Sequence, residues 1–248
     1  MKHIVTFNNF ITEKDELLEG VNDPGILKAV FLAGGPGSGK SYVASNLFDF
    51  DESKFFNLTP SGLKVVNSDR EFEYYMDKAG IDAKKLRTMS PAEFSKVTMG
   101  PDSPRGRAKT MKQKKEEMYK SGRLGMILDG TGDNYDKIAN KRAKLEALGY
   151  DTYMLFVNTS LEVAQERNKA RNRSLPEALV KEIWSDVQQN MGKFQQLFGQ
   201  SNITVVDNTM AGLPGKEVRN AINKFVSAPL KNPVGKAWVK DQRAAIKR

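Results

Sequence analysis

The chain has 248 residues, enough for one well-buried α/β domain with additions and short for two. Its 39% hydrophobic and 28% charged residues have the balance of a soluble globular protein, and no apolar run approaches the roughly 20 residues a membrane helix needs. Cysteine is absent and the single histidine is His3, which excludes disulfides, thiol catalysis, cysteine zinc sites and a multi-histidine metal centre.

Chemistry must then rest on Asp, Glu, Lys and Arg, with any metal held by oxygen ligands, a set suited to phosphoryl transfer. The missing cysteines, and first residues unlike a signal peptide, suit a reducing cytoplasm. The net charge of +9 is uneven: −2 over residues 1–66, +5 over 67–125, +1 over 126–175 and +5 over 176–248. Such an excess fits a polyphosphate, a second phosphorylated substrate or nucleic acid.

In chain order, residues 1–24 read as a peripheral N-terminal segment, with a short helix from Thr12 and Asp15 over Leu17 and Leu18 that ends at Gly20. A main domain is expected over 25–226 and a basic tail over 227–248. Residues 29–33 form an apolar run without alternation, as expected of a strand buried on both faces. Gly34-Gly35-Pro36-Gly37-Ser38-Gly39-Lys40-Ser41 follows, a complete Walker A pattern, and Val43, Ala44, Leu47 and Phe48 then suit the first turns of a helix. Glycines in such a loop let backbone N–H groups close on phosphates at a helix N-terminus. The cofactor-binding residues are therefore Gly35, Pro36, Gly37, Ser38, Gly39, Lys40 and Ser41, with Lys40 on the β- and γ-phosphates and the Ser41 hydroxyl on Mg²⁺.

A second strand is expected over 63–67, ending at Asp69, and then a helix from Arg70 with Phe72, Tyr75, Met76 and Ala79 on one face. Asp69 thus falls at a strand C-terminus, where parallel sheets place their ligand crevice. Locally it could equally serve as the N-cap of that helix. Ser90-Pro91-Ala92-Glu93 is a helix start with a cap, Pro at the first position and Glu at the third. A basic helix is expected over 104–120, carrying Arg105, Arg107, Lys109, Lys112, Lys114, Lys115 and Lys120; it reads either as a solvated face or as a substrate contact. Residues 126–129 make a third buried strand ending in Asp129, the form a Walker B takes and the expected second Mg²⁺ ligand. A helix over 135–148 and a strand over 152–157 come next.

Thr159-Ser160-Leu161-Glu162 reads as a capping box for the following helix, and Ser174-Leu175-Pro176-Glu177 as the cap of a long one. Between them, Arg167 and Arg171 are four apart and so share a helical face, and Arg173 follows. These arginines could close over phosphates and neutralise the charge spreading on a transferred group. A fifth strand over 203–206 and a helix over 215–226 precede the tail, in which Trp238 is an anchor. Five buried strands alternating with helices predict an α/β fold of the P-loop NTPase kinase type, a parallel sheet with helices on both faces and an Arg-bearing lid.

Two absences narrow the class. Asp129 is followed by Gly130 rather than Glu, so the usual water-activating carboxylate of ATPases is missing. No Asn-Lys-x-Asp guanine element occurs, since Asn140-Lys141 and Asn168-Lys169 continue differently. An ATP- and Mg²⁺-dependent kinase is preferred over a motor or a GTPase switch.

Phe31 to Ser41, Val66-Asn67-Ser68-Asp69, Leu128-Asp129-Gly130-Thr131-Gly132 and the Glu166–Arg173 region together resemble the zeta-toxin and polynucleotide 5′-kinase branch of P-loop kinases, in particular members carried by tailed bacteriophages. The likeness covers residues 25–210. It implies that Asp69 is the general base and that Arg167 with Arg171 or Arg173 contacts ATP. It implies as acceptor a hydroxyl on a nucleotide, a nucleotide-sugar or a nucleic-acid 5′-end. Zeta toxins use a Gly-Thr-Gly-Arg turn; here Thr131 matches but Asp133 stands where the Arg would be, which argues against a UDP-sugar acceptor. The start Met1-Lys2 with Phe7, Phe10 and Glu13 is similar to the capsid-targeting leaders of some phage internal proteins, implying a phage or virion protein contact through the N-terminal segment or the basic tail, in the host cytoplasm or the virion. A nucleotide-binding structural or nucleic-acid-binding protein without kinase turnover is the reading from another class.

Overall fold

A computed structural model describes residues 20–51, 58–171, 174–210, 212 and 214–246; the helix expected from Thr12, the leader-like start and Arg173 lie outside the described residues. The sheet is built from β1 (Lys28–Ala33), β2 (Lys64–Val66), β3 (Met126–Asp129), β4 (Asp151–Asn158) and β5 (Ile203–Asp207). Its order is β2-β3-β1-β4-β5, and every pairing is parallel. All six residues of β1 are buried, as its unbroken apolar run requires of the central strand.

Successive side chains of a strand point to opposite faces, so the apolar strands feed two cores. Phe31, Leu128, Met154 and Phe156 pack with Val187, Phe194 and Phe198 of α7 (Glu177–Phe198) and Leu145 of α5 (Tyr135–Ala147). On the other face Val30, Leu32, Ile127 and Leu155 meet Val43, Leu47 and Phe48 of α1 (Lys40–Phe48) and Ile222 and Val226 of α8 (Lys216–Ser227). A third, smaller cluster joins α2 (Asp69–Lys78), α3 (Pro91–Thr98) and α4 (Pro104–Ser121) through Phe72, Met76, Val97 and Ala108. It forms a helical wall beside the edge strand β2.

Two predicted helix starts differ from the structure. Helix α6 (Leu161–Ala170) is capped by Ser160, whose Oγ accepts from the Val163 N–H, rather than by Thr159; the Thr159 carbonyl instead accepts from the Trp184 indole at 2.9 Å. Ser174 does not cap α7, whose N-cap is Pro176. The buried Asn168 side chain donates to the Leu175 carbonyl at 2.7 Å and accepts from its N–H at 2.9 Å, which holds Leu175 outside the helix. The box at Ser90 and Glu93 forms with both of its halves, as expected.

Where the sequence shows only a basic tail, α9 (Pro233–Ile246) packs on the first core through Trp238 and Val239. Asn232 ties it down, donating to the Glu146 carbonyl at 2.8 Å, while the Lys231 and Asn232 N–H groups bond the Asp151 carboxylate at 2.9 Å. Among the described residues no helix is long and apolar enough to cross a membrane.

Candidate active site

Strand register brings the predicted site together. Leu32 pairs with Asp129 and Val66 with Leu128, so the P-loop, Asp129 and Asp69 follow the carboxyl ends of three adjacent strands, β1, β3 and β2. The P-loop runs from β1 into α1, with Gly39 as N-cap. Gly37 and Gly39 have φ of 78° and 76°, a region that strains residues carrying a Cβ. The space is closed as well: a Cβ would fall 2.1 Å from the Ala164 carbonyl oxygen at Gly37, and 2.2 Å from Asn208 Nδ2 at Gly39. The loop is thus pressed between α6 and the end of β5.

Three ties fix its path. The Gly34 N–H donates to the Thr131 carbonyl at 2.8 Å, Asn208 Nδ2 to the Ser38 carbonyl at 2.8 Å, and the Ser38 N–H to the Gly35 carbonyl at 3.1 Å. The Thr131–Asp133 turn is itself held by Asn190 of α7, whose amide donates to the Gly132 carbonyl at 3.1 Å and the Asp133 carbonyl at 2.7 Å.

Lys40 forms a short ion pair with Asp129, both largely shielded from water. Lys112 of α4 donates to the Asp129 main-chain carbonyl at 2.6 Å. Burial pushes the Lys112 ammonium below its ordinary range, opposed by the Asp129 carboxylate and reinforced by the nearby cations Lys141 and Lys40. Asp69 is the first residue of α2, with Ser68 as the N-cap, so it is not the N-cap of that helix. The Asn67 side chain accepts from the Asp69 N–H at 2.8 Å, and Arg105 Nη1 of α4 donates to Asp69 Oδ1 at 3.3 Å.

The predicted arginines do not all converge. Arg167 stays beside the P-loop, its Nη1 donating to the Asn208 carbonyl at 2.8 Å. Arg171 does not share its face, because α6 ends at Ala170 and Arg171 has an extended backbone (φ −77°, ψ 143°) and is exposed. The residues that sequence reasoning missed are Asn168, Asn190 and Asn208, together with the specific reach of Lys112. Of these, Asn208 carries a signal, since it directly follows β5 at the sheet edge where ligands bind. A cavity of about 820 Å³, lined by Val21, Lys28, Val226 and Lys240 among others, lies at the opposite end of β1. The chemistry of the site is therefore read from the P-loop and the two carboxylates.

Nucleotide and metal can be tested against these residues. The buried Ser38 hydroxyl has no hydrogen-bond partner among the described residues, and the first-turn amides of α1 have no intrahelical acceptor, so an anion would meet unused donors. Among the described residues no cluster of three or more His, Cys, Asp or Glu could hold a metal alone. Ser41 and Asp129 with phosphate oxygens and water are the sparse set that Mg²⁺ takes.

A family model described as an AAA domain matches residues 30–194. The chain belongs to that family. The matched span of this AAA domain runs from β1 to α7 and contains the P-loop, Asp69, Asp129 and Arg167. A candidate kinase from Chloroflexus aurantiacus superposes with a TM-score of 0.51 at 13% identity, covering 80% of this chain and 97% of that one; the likeness shows the fold. The Pnkp1/Rnl/Hen1 RNA repair complex matches at a TM-score of 0.46 and 17% identity over 68% of this chain and 46% of that one. The PezAT toxin–antitoxin system of Streptococcus pneumoniae matches at 0.47 and 11% over 89% and 86%. No curated protein matches the sequence. The AAA domain here has the expected five-stranded parallel P-loop fold of the kinase type.

Proposed function

We propose that this protein is an ATP- and Mg²⁺-dependent kinase that moves the γ-phosphoryl group to a hydroxyl acceptor. The carrying observation is the order of the strand ends: P-loop lysine and Asp129 in contact, with a second carboxylate, Asp69, at the start of the helix that follows the neighbouring strand. Lys40 and the P-loop amides bind the β- and γ-phosphates, and Arg167, tied beside the P-loop through the Asn208 carbonyl, would add positive charge to them. Ser41 and Asp129 would hold Mg²⁺, which neutralises charge on the phosphates when bound.

The acceptor hydroxyl oxygen bonds to Pγ as the Pγ–O bond to ADP breaks, and ADP leaves with the electron pair. The hydroxyl proton passes to Asp69 and then to solvent. An ordinary carboxylate of pKa about 3.9 is a weak base, but the loose transition state needs orientation more than early deprotonation. The Asn67 side chain, accepting from the Asp69 N–H, fixes the main chain from which that carboxylate projects.

The acceptor classes are nucleotides, nucleotide-sugars and nucleic-acid 5′-hydroxyls. γ-Labelled ATP with Mg²⁺ and a 5′-hydroxyl oligonucleotide, nucleoside monophosphates and UDP-N-acetylglucosamine tests the reading. Label transferred to one acceptor, and lost in Lys40→Met, supports it. Tight ATP binding with no transfer to any member points instead to a nucleotide-binding structural role.

A further inference from the structure

Positions 105, 109 and 112 of α4 lie on one face by helical spacing and carry Arg105, Lys109 and Lys112. Arg105 bonds the Asp69 carboxylate and Lys112 the Asp129 carbonyl, so this cationic row lies alongside the ends of β2 and β3. Two other ionic ties of α4 are buried and structural: Lys115 pairs with Glu71 out of water, and the buried Glu116 accepts from Lys141 at 2.6 Å. The Arg105–Asp69 pair differs from these two. Its side chains are 31% and 37% exposed, and one contact of 3.3 Å joins them. Half-exposed pairs of this kind are weak and readily exchanged. The Arg105 guanidinium also lies over the Phe72 ring, 5.1 Å from its centroid, while Lys109 is exposed one turn further along.

A carboxylate oxygen engaged by a guanidinium is a poorer acceptor for a hydroxyl proton. An incoming molecule with an anion of its own can take over the guanidinium and release that oxygen. We propose that Arg105 reads the acceptor: it holds Asp69 in the free enzyme and passes to an anionic group, phosphate or carboxylate, carried beside the reacting hydroxyl. This rests on the kinase reading and adds a requirement on the substrate. The planar fork suits both anions, the Phe72 face keeps its plane, and Lys109 supplies a second cation. Water brings no anion, so Arg105 stays on Asp69, and loss of the γ-phosphoryl group to water as free phosphate is held down.

The test uses the full chain as wild type, Arg105→Gln and Arg105→Lys, with melting curves to show that each is folded. Calorimetry measures binding of glycerol, D-glycerate and glycerol 3-phosphate, and of thymidine and thymidine 3′-phosphate, with and without a non-hydrolysable ATP analogue and Mg²⁺. In wild type, at least one anionic probe binds about tenfold or more tightly than its neutral partner, a difference readily resolved by titration. That preference falls to about twofold in Arg105→Gln and is partly kept in Arg105→Lys, while acceptor-free ATP hydrolysis rises several-fold in Arg105→Gln. The glycerate and glycerol 3-phosphate arms tell carboxylate from phosphate. Equal binding within every pair in wild type, or a preference unchanged in Arg105→Gln, overturns the proposal. Failure of the ATP analogue to bind would count against the kinase reading, and the titrations without it would still decide this one.

Discussion

Asn208 is the residue through which the end of β5 holds the P-loop, and its loss has a calculable cost. Its side chain is buried, and Nδ2 makes one bond of 2.8 Å, to the Ser38 carbonyl. Asn208→Ala removes that bond but not the main-chain bonds at the same residue, where the N–H donates to the Asn158 carbonyl at 2.9 Å and the carbonyl accepts from Arg167. A neutral bond contributes about 0.5–1.5 kcal/mol, and a carbonyl left unsatisfied raises the cost to about 1–3 kcal/mol. The loop lies at a ligand rim that water reaches, so about 1–2 kcal/mol is expected. If that falls on the binding-competent loop, ATP affinity drops about 5- to 30-fold, with a melting temperature lower by about 2–8 °C. Asn208→Asp turns an acceptor toward the Ser38 carbonyl and adds negative charge beside the phosphates, so it binds more weakly than Asn208→Ala. Titration calorimetry with ATP and Mg²⁺, alongside thermal melts, measures both. An Asn208→Ala protein that binds ATP within twofold of wild type at an unchanged melting temperature would refute the clamp.

Other perturbations follow from ion pairs and caps. Lys40→Met leaves the shielded Asp129 carboxylate without its ammonium partner and costs about 1–3 kcal/mol in urea unfolding, less than a fully buried pair; Lys40→Met with Asp129→Asn recovers most of that. Lys115→Met strands Glu71 in the α2–α4 interface and costs about 3–5 kcal/mol, whereas Lys115→Met with Glu71→Leu comes within about 1 kcal/mol of wild type. Ser90→Ala removes the α3 capping box and lowers the melting temperature by about 2–4 °C at neutral pH. Hydrogen bonds from the Ser90 hydroxyl and N–H hold the Glu93 carboxyl below its ordinary value, so this stability is present above the unfolded-state pKa and lost as pH falls through the folded one. The Ser90→Ala deficit therefore shrinks in acid, and a deficit that is constant between pH 7 and pH 3 would contradict the assignment.

Much of the fold was legible because its determinants are local. The unbroken apolar run of β1, the complete P-loop and the Ser90 box each lie within a dozen residues and need no distant partner. Asp129 was legible as a carboxylate ending a strand; Asp69 was read at a strand end but begins α2, three residues past β2, the strand beside β3. What escaped depends on contacts far apart in sequence. Asn208 grips a carbonyl 170 residues away, and Asn190 a turn 58 residues away. The start of α7 moved because Asn168 clamps Leu175, an effect invisible in Ser174–Glu177 alone. Arg171 was placed by helical spacing, which lapses where the helix stops one residue earlier. Helix α9 was hidden because its scattered apolar residues take on meaning only against the first core, where Trp238 packs.

In the proposed reaction Asp69 receives the proton from an acceptor hydroxyl while the P-loop and Asp129 manage the nucleotide. The most direct measurement is transfer of label from γ-labelled ATP to the best acceptor by wild type and Asp69→Asn under single-turnover conditions, with ATP affinity measured in both. Transfer is expected to slow by about 10²-fold or more in Asp69→Asn, with ATP bound within a few-fold of wild type. Transfer at the wild-type rate in Asp69→Asn would remove Asp69 from the role of proton acceptor.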